Sequence, residues 1–261
     1  MNATEAYLEA LDVDPKSVII LRKLLDLFTR SKQWNEAVEI LGRLVDNETD
    51  AAKRAKYSYT MGVISRDEIR DNAQAVTFFD VALDNDVKFL KAFEGIDRIF
   101  TEAKSWKDLE RAYRRMLRRV AEKDDGQMES IKVLLWQNLG EIYRSRLGHV
   151  QSAIGAYEAA IGLNPGDQAV RLILAELYEK STDNPDGAID QHKELIKLDP
   201  FRVESYRALW KAYMQKKAYD RAWCMAGALS FLQSANEQEE KFYRSYLGSN
   251  CLLYTSPSPR D

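Results

Sequence analysis

The sequence predicts an all-α chain built from repeated helix pairs, and three observations carry that expectation. The first is the stretch Trp136–Pro165, WQNLGEIYRSRLGHVQSAIGAYEAAIGLNP, which reads as two short amphipathic helices. Trp136, Leu139, Gly140 and Tyr143 mark the first helix, Ala153, Tyr157 and Ala160 the second, and Pro165 closes the unit. Each set falls at i, i+3, i+4, i+7 spacing, so each helix carries one apolar stripe that it cannot bury alone. The second is recurrence: Ala75, Phe79 and Ala82 return 34 residues later as Leu109, Tyr113 and Met116, and Tyr143, Tyr178 and Tyr213 are each 35 residues apart. The third is composition, 45% apolar and 30% charged with few Gly and Pro, which suits helices with many solvated faces.

Taken in order, residues 1–14 match the second half of a unit, since AYLEALDVDP (Ala6–Pro15) aligns with AYEAAIGLNP (Ala156–Pro165). The chain is expected to begin on a second helix whose partner is missing, the alternative being a single capping helix. The first full unit, about 15–48, carries Leu21, Leu24, Leu25 and Phe28, then Ala37, Leu41 and Leu44. Trp34, in the turn SKQWNEA, recurs as Trp106 and Tyr219 and is expected to plug the space between paired helices. The second unit, about 51–86, keeps Met61 and Gly62, then Ala75, Phe79 and Ala82. The third, about 87–123, keeps Phe93, Ile96 and Phe100, then Leu109, Tyr113 and Met116. The polar stretch EKDDGQMES follows, as a loop or an extension of the flanking helices. The fourth (129–164), fifth (165–199) and sixth (200–234) units follow a 35-residue period, the extra residue assigned to the inner turn. A partial unit, 235–250, starts a helix over about Glu237–Leu247.

On these residues the chain resembles the tetratricopeptide-repeat family, whose unit is a helix–turn–helix of about 34 residues. The resemblance covers nearly all of residues 1–250. It departs at Leu25, Asp97, Ala175 and Trp210 in place of a small residue, at Ser65 in place of an aromatic one, and at His192 in place of the second-helix aromatic. It implies a right-handed superhelical solenoid of about six full units with partial units at both ends. It also implies that the first helix of each unit lines a concave groove for a protein or peptide ligand. The groove positions it assigns here are Arg22, Asp26, Tyr59, Val63, Arg66, Glu94 and Arg98, then Gln137, Glu141, Arg144, Leu172, Glu176, Glu179, Arg207, Lys211 and Met214. Any exposed helix face carries such charges, so the bland reading of each is solvation. Glu141, Ile173 and Glu204 stand where the chaperone-tail clamp of the family has Asn, Asn and Lys, which disfavours that subclass. The run from Asp199 to Leu232 is also similar to the late repeats of very large bacterial multi-repeat proteins.

Catalysis finds little footing. There is no phosphate-cradling glycine loop, no nucleophile elbow and no zinc-ligand spacing, so no catalytic residue, cofactor or metal is expected. Cys224 reads as a buried, inert thiol, and His149 and His192 as structural or exposed. Arg114, Arg115, Arg118 and Arg119 make one helix edge basic, but the net charge is -3 and aromatic partners are sparse. Nucleic acid is therefore disfavoured, and a solvated face paired with Glu110 and Glu122 is expected. No apolar run is long enough for a membrane span. The start lacks the features of a secretory signal, which leaves the compartment open with the cytoplasm favoured. Residues 251–261, CLLYTSPSPRD, break the period and resemble translated read-through of a sequencing-library adapter; a Ser/Pro-rich tail is the alternative. The expected function is a protein–protein interaction scaffold that is a fragment of a longer protein, with exposed end helices that favour self-association. The rivals are the binding arm of an enzyme whose catalytic domain lies elsewhere, and a helical-repeat RNA-binding protein.

Overall fold

The structure, a computed structural model, describes residues 3–123, 126–180 and 184–250. The tail at 251–261, the acidic pair at 124 and 125 and part of the turn after residue 180 lie outside the described residues. Among the described residues there are fourteen α-helices and no strand. They are α1 (Ala3–Val13), α2 (Val18–Arg30), α3 (Trp34–Asn47), α4 (Ala51–Ile64), α5 (Asn72–Asn85), α6 (Leu90–Glu102) and α7 (Trp106–Glu122). Then come α8 (Glu129–Glu141), α9 (Val150–Leu163), α10 (Gln168–Lys180), α11 (Pro185–Leu198), α12 (Val203–Gln215), α13 (Tyr219–Phe231) and α14 (Glu237–Asn250).

The chain divides into two units, one formed by residues 1–135 with 145–147 and the other by 136–144 with 148–261. From α1 to α7 and from α9 to α14 each helix packs on its neighbour in the chain, and α4 also touches α6. In the first unit, Leu21, Leu24 and Phe28 of α2 meet Ala37, Leu41 and Leu44 of α3 in one buried cluster that reaches Leu11 of α1 and Met61 of α4. In the second, Ala153, Tyr157 and Ala160 of α9 pack with Leu174 and Tyr178 of α10 and Ala188 of α11. A further cluster joins Ile189, Leu209, Tyr213 and Ala222. Each of these helices has one apolar stripe, and stacking is the only way to take all the stripes out of water.

Close approach is set by aromatic rings lying on glycine. Phe79 of α5 is fully buried, and a Cβ built on Gly62 of α4 or Gly95 of α6 would lie 2.5 or 2.7 Å from its ring. The ring is thus clamped between two backbones. Gly140 meets the Tyr157 ring in the same way, at 2.9 Å.

Among the described residues, two kinds of turn join the paired helices. Lys32, Lys104 and Lys217 adopt left-handed φ of 57°, 54° and 58°. At each, the next amide bonds back into the helix, as Ser105 N–H does to the Phe100 carbonyl at 2.9 Å. In the second and fourth repeats, α4 and α8 end instead in π-helical turns, Ser65–Ile69 and Ile142–Leu147, closed by left-handed Arg70 and Gly148. The extra residue of the fourth repeat therefore sits in the helix end and does not lengthen a loop.

Three sequence expectations need correction. Cys224 is exposed, because the buried stripe of α13 is Ala222, Ala226 and Leu229, and Cys224 falls off that stripe. The recurrent turn aromatics each open a second helix, but they do not all plug the pair. Trp34 packs half-buried on the first cluster, whereas Tyr219 is 44% exposed. Finally, Arg114 and Arg118 pair with Glu110 and Glu122 as expected, but Arg115 and Arg119 reach Asp80 and Asp84 on α5.

Alanine should have opposite effects at two glycines. Helix propensity favours Ala by about 1 kcal/mol. At Gly155, with nothing within 4 Å, urea unfolding should show that gain. At Gly62 the clamped ring cannot yield, and overpacking should leave the protein about 2 kcal/mol less stable. Lys104→Gly should stabilise by about 0.5–1 kcal/mol by relieving the left-handed strain, read as a higher denaturant midpoint.

Candidate functional site

The second unit holds a cleft of about 460 Å³ between α10, α11 and α12. Its floor is largely apolar, from Ala188, Ile189, Ala208, Leu209 and Ala212, with Tyr178 at one side. Glu179, Glu204, Arg207 and Lys211 also line it. The sequence pattern explains the arrangement. Leu209 and Tyr213 are buried on α12, which turns Arg207 and Lys211 half a helix away from the core.

His192 reaches the cleft from α11. It is 8% exposed, its Nδ1 lies 3.2 Å from the Oγ of fully buried Ser205, and its Nε2 lies 3.7 Å from Glu179. Burial holds the imidazole below its ordinary pKa of 6.5; Glu179 pulls it up and Arg202 pushes it down, both more weakly. The aromatic ring expected at this position is thus replaced by a buried polar one with its own hydrogen-bond partner.

Arg207 is tied to the next helix. Its Nε donates to the carboxylate of Glu239, a fully buried residue, at 3.0 Å, and its Nη2 donates to the Ser234 carbonyl at 2.6 Å. Glu239 also accepts from the Asn236 N–H, and Asn236 Oδ1 accepts from the Glu239 N–H, a reciprocal cap on α14. Lys211 and Glu204 are exposed at the rim.

The structure draws Glu179, Arg207 and Lys211 around this cleft and places the other sequence-predicted positions elsewhere. In the second unit, Gln137 donates to Asp167 at 2.8 Å, and Glu141 accepts from Tyr157 Oη at 3.0 Å and from Arg144 at 2.8 Å. Burial, and then that bond to Glu141, push the Tyr157 phenol far up, so it stays protonated. Glu176 is exposed on α10, Leu172 half-buried, and Met214 packs half-buried against the core of α12 and α13. In the first unit, Arg22 donates to Tyr57 Oη at 3.2 Å, and Asp26 pairs with Arg30 at 2.9 Å. Tyr59 lies edge-on to Phe89 and tilted on Phe79, with Val63 half-buried nearby in the chain. Arg66 binds Asp67 and lies 5.8 Å over the Phe79 ring, Arg98 pairs with Glu102, and Glu94 is exposed.

Sequence reading passed over the Asp80–Arg115 and Asp84–Arg119 bonds, both 2.7 Å long and both between residues 35 apart. Opposite charges one period apart on successive second helices are the signal that would have found them. No group of side chains among the described residues is arranged to hold a metal ion, and no described helix is long and apolar enough to cross a membrane.

Antiparallel helix pairs repeating every 34 or 35 residues, with a cleft between one pair and the next, define a helical-repeat protein. Residues 135–169 match the family model of the tetratricopeptide repeat. The chain is 26% identical over 234 residues to Superkiller protein 3 of Schizosaccharomyces pombe; the match covers 85% of this chain and 14% of that much longer relative. Among solved structures, it is similar to the C-terminal part of a repeat protein from Cytophaga hutchinsonii, with 14% identity, TM-score 0.44 and coverage of 92% of this chain and 93% of that one. It is also similar to YrrB, described as a protein with an unusual peptide-binding site, with 15% identity, TM-score 0.42 and coverage of 93% and 100%.

The cleft should impose a pH dependence on stability. With the folded pKa of His192 below 6.5, the unfolded chain takes up a proton first as pH falls. Stability is therefore full above that value and declines below it, until the folded ring also titrates. His192→Gln should flatten that decline, read as the difference in Tm between about pH 7.5 and about pH 5.5 in the two proteins.

Proposed function

We propose that the protein is a non-catalytic protein–protein interaction module that takes a peptide segment of its partner along the first helices of its repeats. The cleft between α10, α11 and α12 anchors that segment in the second unit. The observation that carries this reading is the convergence of Glu179, Arg207 and Lys211 on one cleft with an apolar floor. The match of residues 135–169 to the tetratricopeptide repeat supports it, since first-helix positions read ligands in that family. An apolar floor with carboxylates and an ammonium at the rim suits side chains that combine an aliphatic stem with a charged tip. A partner of mixed charge fits best: Glu179 and Glu204 call for a cation and Lys211 for an anion, and such pairs set specificity and on-rate more than affinity. The unit boundaries read from the sequence, from 15–48 through 200–234, are proposed as the repeats of this module.

Selection of phage-displayed random peptides on the full chain tests the reading. Enriched peptides should bind the wild-type chain and lose at least about tenfold in affinity to a Glu179→Lys, Lys211→Glu variant. Circular dichroism should show that the variant keeps its helices. Peptides that bind both chains equally, or a selection that enriches none, would exclude this cleft as the anchor.

A further inference from the structure

The exposed face of α7 carries a feature that the cleft does not use. Arg111, Arg114, Arg115 and Arg118 line one shallow depression of about 480 Å³, with no other residue type in its lining among the described residues. They fall at i, i+3, i+4 and i+7, a single stripe about 10 Å long on the helix surface. From Trp106 to Lys123 the chain has seven Lys or Arg against three Asp or Glu, in a protein whose net charge is -3. Basic residues thus outnumber acidic ones along the helix itself, while Asp124 and Asp125 follow it in the chain and Asp80 and Asp84 of α5 pair with Arg115 and Arg119.

The partners of these arginines fall into two groups. Arg111, Arg114 and Arg118 pair only within their own helix, with Asp108 at 3.1 Å, Glu110 at 3.3 Å and Glu122 at 3.9 Å, and the three side chains are 69%, 68% and 72% exposed. The Arg111–Asp108 and Arg118–Glu122 pairs are exposed on both sides, whereas Glu110 is 16% exposed. Pairs exposed on both sides are worth about 0.3–0.5 kcal/mol each and give way readily to a better anion. Arg115 and Arg119 instead bond across to Asp80 and Asp84 of α5, which fixes the rotation of α7 and so the direction in which the stripe faces. Arg115 thus belongs both to the stripe and to the anchor, and Arg111, Arg114 and Arg118 are left for display. Guanidinium groups held in a row match carboxylates bidentately, and three or four carboxylates at helical or extended spacing span the same length.

We propose that this stripe is a second interaction surface, which takes an Asp/Glu-rich segment of a partner protein. Nucleic acid would offer anions at similar spacing, but single-strand binding depends on aromatic platforms for the bases. Among the described residues no aromatic side chain lines the depression, and Trp106, which opens α7, is covered by the Arg146 guanidinium 4.7 Å from its ring centre. An anionic protein segment needs no such platform.

The test uses the full chain and two fluorescent probes of equal charge, a Glu-rich peptide and a single-stranded RNA, followed by anisotropy at about 50 mM salt. The peptide should bind more tightly than the RNA. It should weaken at least about tenfold in an Arg114→Glu, Arg118→Glu variant, and less than about twofold in an Arg30→Glu, Arg43→Glu variant of the same net charge. All four side chains are largely exposed, so both variants should keep wild-type helicity. Tighter binding of the RNA would assign the stripe to nucleic acid. Equal loss in both variants would reduce the effect to net charge, and no peptide binding by the wild-type chain would remove the surface altogether; each of these results overturns the proposal.

Discussion

The contact on which the packing most depends is an aromatic ring seated on glycine backbone. Phe79 fills the space that two Cβ atoms would otherwise take, one from α4 and one from α6. That single ring sets the distance between paired helices and the distance to the next pair. Dispersion and hydrophobic transfer both favour this geometry, because a fully buried ring in van der Waals contact on two faces has no void beside it. Gly140 beneath Tyr157 repeats the device in the second unit. Elsewhere the polarity reverses: Tyr178 of a first helix lies on Gly187 of the second. The requirement is close approach, and either helix can supply the small residue.

Polar ties add a second order at the length of the repeat. Arg22 to Tyr57, Asp80 to Arg115 and Asp84 to Arg119 are separated by 35 residues, and Gln168 to Arg202 by 34. Just as i and i+4 share one face of a helix, residues one period apart share one edge of the stack. A second family of bonds works within a pair. The Tyr113 and Tyr157 hydroxyls each donate to a carboxylate 16 residues earlier, Asp97 and Glu141. Asp97, a departure from the small-residue pattern, thus has a structural task that accounts for it.

Much of this was legible in the sequence, because its information is local. Apolar stripes at helical spacing marked the helices, and their recurrence marked the pairing. What was hidden depended on phase or on partners far along the chain. Cys224 and Tyr219 were misplaced because one or two residues along a helix rotate a side chain from core to solvent. Gly95 was passed over because the ring it receives belongs to the preceding pair. The cleft was half-legible: Glu179, Arg207 and Lys211 follow from their positions on the first helices, whereas the engagement of Arg207 by Glu239 follows from a capping motif beyond the repeat that contains it. His192 was visible as a departure, and only its contact with Ser205 gives the departure a reason.

The π-helical turns make the period elastic. From Gly62 to Ala75 and from Gly140 to Ala153 the chain has one residue more than from Leu25 to Ala37 or from Trp210 to Ala222. In those two repeats the surplus is stored as a widened last turn, and the Arg70 N–H still closes on the Ser65 carbonyl before the second helix starts. The following stripe therefore meets its neighbour in the same phase whichever length the repeat has. A chain with such a register buffer can gain or lose a residue at that point while the buried stripes on either side of the turn keep their pairing.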